Sequence, residues 1–114
     1  MLDTINIENI LFLDIETVPM TAEYHELPEI YKKLWNRKAE QLGRNDRNLA
    51  DEDRTPEKMF ERAGIYAEFG RVICISTGIF RNQSLWIKSY YGADEAQLLK
   101  DFAGLLQRAS EQKF

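Results

Sequence analysis

Leu11-Phe12-Leu13-Asp14-Ile15-Glu16-Thr17-Val18-Pro19 is the stretch from which the rest of the chain is read. The apolar run Ile10 to Leu13 leads into two acids separated by one residue, and Pro19 closes the run. Side chains alternate faces along a strand, so Asp14 and Glu16 share one face and Leu13 and Ile15 the other. Ile10 and Phe12 lie on the acids' face and Leu11 on the opposite one, so both faces are apolar ahead of Asp14. That pattern predicts a strand from Ile10 to about Glu16, covered on both sides in the middle of a sheet. Two carboxylates at the end of a buried strand are costly unless a positive group sits between them, and a divalent cation is the simplest such group.

The composition bounds what this strand can belong to. A chain of 114 residues is one domain at most. With 44% apolar, 11% aromatic and 30% charged residues it reads as a globular protein. Its net charge of -4 argues against a general electrostatic grip on nucleic acid, though not against an enzyme that neutralises phosphates with bound metal. The single cysteine, Cys74, excludes an internal disulfide and fits a reducing compartment. No run has the length of a membrane span and the acidic N-terminus is no signal peptide, so the expectation is a cytoplasmic protein with no membrane partner.

Taken in order, residues 1–9 form a polar lead-in expected to pair weakly with the sheet, and Met20 to Pro28 irregular chain with the lone histidine, His25, in solvent. Helical periodicity follows. Leu27, Ile30, Tyr31, Leu34, Trp35 and Leu42 fall on one stripe, with Pro28 in the first turn and Gly43 as the stop. Tyr31 and Trp35 are read as core packing in preference to base stacking. Gly43 to Arg54 holds seven charged residues in twelve and reads as a mobile surface loop. Thr55-Pro56-Glu57 has the form of an N-cap, N1 proline and first-turn acid, opening a second helix to about Glu68 with Met59, Phe60, Ala63, Tyr66 and Ala67 inward.

Gly70 restarts β structure. Arg71 to Phe80 and Ser84 to Tyr91 are β-rich runs joined through Arg81-Asn82-Gln83, where Asn82 tolerates positive φ, so a hairpin is predicted. Gly92 breaks the strand, and Asp94 with Gln97 caps a last helix whose stripe is Leu98, Leu99, Phe102, Leu105, Leu106 and Ala109. The order is therefore strand, helical insertion at about 20–69, two-stranded hairpin, helix. Three strands and one helix leave a sheet face and an edge uncovered. The tail Glu111-Gln112-Lys113-Phe114 carries no stop signal, so the chain reads as the front half of a larger domain. The uncovered edge could pair with a second copy, which makes a homo-oligomer one expectation.

The Asp14-Ile15-Glu16-Thr17 segment resembles the first motif of the DEDD 3′–5′ exonucleases. Ala63-Gly64-Ile65-Tyr66-Ala67-Glu68-Phe69-Gly70-Arg71-Val72-Ile73-Cys74-Ile75-Ser76, with the hairpin after it, is similar to the predicted exonucleases related to the proofreading domain of family B DNA polymerases. The likeness covers nearly the whole chain, but only its first motif concerns catalysis. It implies an α/β ribonuclease H-like fold, here incomplete, and 3′–5′ hydrolysis of phosphodiester bonds. The implied substrate is the 3′ end of single-stranded DNA. Asp14 and Glu16 would be two of four acids holding two Mg²⁺ or Mn²⁺ ions, Asp14 bridging both and Glu16 binding one. Thr17 would hold the terminal nucleotide through its backbone N–H.

The second and third motifs of that family do not occur by Phe114, so this chain is expected to carry half a catalytic site and to be inactive alone. Two rival readings remain. A haloacid dehalogenase-like phosphatase would use Asp14 as nucleophile, but its second acid is aspartate where this chain has Glu16, and the hairpin breaks a parallel order. A module of the same fold without catalysis would use the charged loop and open edge for interaction. The structural alternative for the acids themselves is pairing with an arginine, Arg71 above all, or with helix N-termini.

Overall fold

The computed structural model describes residues 2–112. Three strands, β1 (Phe12–Pro19), β2 (Gly70–Arg81) and β3 (Ser84–Tyr91), and three helices, α1 (Glu29–Asn45), α2 (Pro56–Met59) and α3 (Glu95–Gln112), make a mixed α/β chain. Lys113 and Phe114, in the tail read above as lacking a stop signal, lie outside the described residues. The chain divides into two compact units, residues 1–16 with 72–114 and residues 17–71, and the divisions fall within β1 and β2.

The sheet is antiparallel in the order β1-β2-β3. Residues 2–4 and 7–9 ahead of it are short 3₁₀ turns, the second capped by Asn6, and not the paired lead-in the sequence suggested. β2 and β3 pair from Cys74 with Tyr91 to Arg81 with Ser84. The turn is two residues long, and both Asn82 (φ 52°) and Gln83 (φ 67°) are left-handed. Such turns match the strands' own twist and favour glycine at the second position. Gln83→Gly is therefore expected to stabilise the chain by about 0.5–1 kcal/mol, since glycine enters this conformation without steric cost. A higher urea midpoint with unchanged slope would show it; no change would mean that Gln83 is not strained.

Asp94 caps α3 as expected, accepting a hydrogen bond from the Gln97 backbone N–H at 3.2 Å. The Gln97 side chain does not complete the capping box; it donates to Asp101 at 2.9 Å. Leu98, Phe102 and Leu105 pack with Val72, Ile75 and Tyr90 in a small core. Glu95 adds a polar tie, its carboxylate accepting the Val72 N–H at 2.6 Å. Leu99 and Leu106, expected inside, are exposed.

Residues 17–71 have a core of their own around Trp35, Ala39, Met59, Phe60, Ala63 and Phe69. Trp35 is fully buried, with Phe69 and Phe60 edge-on at centroid distances of 5.1 and 5.7 Å. Its indole N–H donates to the Pro56 carbonyl at 2.8 Å, which settles that residue as core. The inward face of α1 is nevertheless rotated from the predicted stripe: Ile30 and Leu34 are exposed, while Ala39 and Gly43 are buried. Gly43 does not stop the helix, which runs to Asn45.

The charged stretch that follows is tied to α1. Arg54 reaches back and donates to the carbonyls of Gly43 and of Asp46, the latter at 3.0 Å. These carbonyls belong to the last turn of α1 and its C-cap, where no intrahelical donor remains. Arg54→Ala is expected to cost about 2 kcal/mol, because hydrogen bonds from a charged donor are the stronger kind and two carbonyls lose theirs. Faster amide exchange across residues 46–54 would accompany the loss; unchanged exchange there would count against the staple.

Thr55 and Pro56 start α2 as predicted, Thr55 accepting from the Lys58 N–H at 3.3 Å. The helix does not reach Glu68. It ends at Met59 and continues as a 3₁₀ segment from Phe60 to Ile65. The reason lies at Gly64. A side-chain carbon there would stand 2.9 Å from the Val18 carbonyl carbon, and one on Gly70 would stand 2.6 Å from the Gly64 oxygen. Three backbone segments meet too closely for any other residue or for a regular helix.

Candidate functional site

Asp14 and Glu16 lie in β1 at alternate positions, so they point to the same side of the strand. Both are exposed. Among the described residues neither carboxylate accepts a side-chain hydrogen bond or forms an ion pair. The buried, central strand of the sequence reading is corrected here. β1 is an edge strand among the described residues, and Phe12, Leu13 and Ile15 are 43%, 49% and 51% exposed. The desolvation argument for a cation therefore loses its premise: an exposed carboxylate needs no partner. What remains is the pairing of two unengaged acids on one face.

Asp14 stands on the rim of an apolar groove of about 310 Å³ on the sheet. Gly78 leaves the groove's floor bare, since a carbon added there would touch Leu85 at 3.5 Å and Phe12 at 3.7 Å. Phe12 and Phe80 meet edge to face at 6.1 Å along one wall, and Ile87 lines the groove as well. The cross-strand pair Ser76 and Ser89, 2.9 Å apart between hydroxyls, adds a polar strip.

Thr17 follows Glu16 directly and is exposed. Its hydroxyl donates to the Gly64 carbonyl at 2.6 Å. The side chain is thus committed to holding the Gly64 backbone.

The sequence reading missed a second set of ligand-type groups. Glu23, His25 and Glu26 offer donor atoms within 4.8 Å of one another on a 3₁₀ turn. His25 Nδ1 lies 3.1 Å from a Glu23 carboxylate oxygen. All three are exposed. The only signal was the Glu-x-His-Glu spacing, which becomes convergent when the segment coils; read as irregular chain, it carried no such implication.

No helix among the described residues is long and apolar enough to cross a membrane. The chain matches no protein-family model, no curated protein and no solved structure.

Proposed function

We propose that this chain is the first part of a metal-dependent 3′–5′ exonuclease of the ribonuclease H-like class, acting on the 3′ end of single-stranded DNA. The observation that carries the reading is the Asp14/Glu16 pair, two carboxylates on one face of a strand with no side-chain partner among the described residues. The antiparallel order β1-β2-β3 followed by α3 is compatible with that fold class and not with the parallel sheet a haloacid dehalogenase-like phosphatase needs.

The donors suit the cofactor: carboxylate oxygens are the ligands that Mg²⁺ and Mn²⁺ favour. When bound, such ions would stabilise charge on the entering and leaving oxygens of a phosphodiester. Asp14 and Glu16 would hold them. The Thr17 N–H would orient the terminal nucleotide. The proposed activity requires two further acids of the kind the resemblance implies, so it is that of a polypeptide carrying all four, with a cytoplasmic location proposed alongside.

Digestion of 5′-labelled single-stranded DNA by that polypeptide in Mn²⁺ tests the proposal. A descending ladder that disappears with chelator is the expected result. An intact substrate, with all four acids present, would move the weight to a non-catalytic module, the role that the exposed apolar strand β1 favours.

A further inference from the structure

We infer that the groove between β3 and α3 binds a phosphate group, at a site made of residues other than the carboxylate pair. Lys88, Tyr90, Lys100, Asp101, Gly104 and Arg108 line a cavity of about 410 Å³. In a chain of net charge -4, this groove gathers three cations against one carboxylate. None of the three has an ion-pair partner among the described residues. Lys88 Nζ sits 5.1 Å from the centre of the Tyr90 ring. Asp101 is engaged already, accepting from the Gln97 side chain at 2.9 Å. Like charges collected without counter-charges repel one another, and an anion relieves that repulsion.

Tyr90 supplies the independent observation. The residue is 8% exposed, and its hydroxyl is buried with no hydrogen-bond partner among the described residues. A buried phenol almost always finds an acceptor. Tyr90 lines the groove and its hydroxyl has no acceptor among the described residues, so a bound acceptor supplies what the groove's cations do not. A phosphate oxygen fits that place, and its charge suits the cations.

The spacing on α3 is suited to one phosphate. Lys100, Gly104 and Arg108 recur every four residues and share a helix face. The two cations are about 12 Å apart along the axis, with Gly104 midway. A carbon on Gly104 would lie 3.5 Å from the Arg108 guanidinium. Glycine thus leaves open the position over which both long side chains can converge.

The phosphate could be that of a small metabolite or of a nucleic-acid backbone, and the titration separates these. The ¹⁵N-labelled chain would be titrated with inorganic phosphate, and separately with an octathymidylate lacking terminal phosphates, at ionic strength held constant with chloride. Saturable shifts at the amides of Lys88, Lys100, Gly104 and Arg108 are expected. Saturation by inorganic phosphate assigns a small phosphate ligand, and saturation by the oligonucleotide alone assigns a backbone phosphate. The exposed double variant K100Q/R108Q should weaken binding at least about tenfold. Tyr90→Phe should weaken it several-fold while leaving the unliganded chain no less stable, since the hydroxyl it removes has no partner there. Equal shifts with chloride alone, or unchanged affinity in K100Q/R108Q, would overturn the proposal. None of these readouts involves cleavage, so the result stands apart from the exonuclease reading.

Discussion

Asp14→Asn in the longer polypeptide is expected to lose about 10³-fold of its Mn²⁺-dependent 3′–5′ cleavage. On the proposed reading Asp14 would help hold the ions, and metal stabilisation of the phosphoryl oxygens is worth several kcal/mol in the transition state. Asparagine keeps the shape and one oxygen, but not the charge that holds two cations together. Glu16→Gln should lose less, because Glu16 would serve one ion. Since both acids are exposed and without a side-chain partner among the described residues, neither substitution should disturb folding, and thermal midpoints should stay where they are. The comparison is therefore one of rate at constant stability. If Asp14→Asn cleaves as the parent does, the acids of β1 are surface residues and the proposed chemistry is wrong.

Trp35→Ala is expected to cost about 3–5 kcal/mol, the range for removing a large aromatic side chain from a close-packed core. The site has little room to relax. Trp35 is 0% exposed and has Phe60, Phe69 and Tyr66 about its ring. The substitution also strips the Pro56 carbonyl of the donor that holds it at 2.8 Å. Trp35→Phe would keep most of the packing and lose only that hydrogen bond, so it should cost about 1–2 kcal/mol. Against a total stability on the order of 5–15 kcal/mol, the alanine variant would be marginal at best. Urea unfolding followed by far-ultraviolet circular dichroism measures the difference. A cost under about 1 kcal/mol for Trp35→Ala would mean that the residues around it close the gap, contrary to the packing described.

Local chemistry was the legible part of this chain. The hairpin was visible from the β-branched runs and Asn82; the caps at Thr55 and Asp94 were visible because a cap is a short-range hydrogen bond between neighbours in sequence. Trp35 was legible as core because it sat in a helical stripe with Tyr31 and Leu42. The carboxylate pair was legible because strand geometry alone puts alternate residues on one side. Less legible was anything that depends on what approaches from elsewhere in the chain. Gly43 reads as a helix stop until Arg54 is seen to supply the donors for that end of α1. The stretch 60–68 reads as helix until the backbone at Val18 is seen to stand where its side chains would be. Glu23, His25 and Glu26 lie in what reads as irregular chain until a 3₁₀ turn brings their donor atoms within 4.8 Å of one another.

The sequence by itself determined the order of the elements, the faces along each of them and the residue types available for chemistry. These follow from bond geometry and from contacts a few residues apart. Only the tertiary structure decided which of those faces is covered. Ile30, Leu34, Leu99 and Leu106 have the period of buried residues and are exposed, and β1 has the composition of a central strand and lies at an edge. Periodicity states which side chains share a surface; burial depends on another surface of matching area arriving to cover it, and that is a property of the whole packed chain.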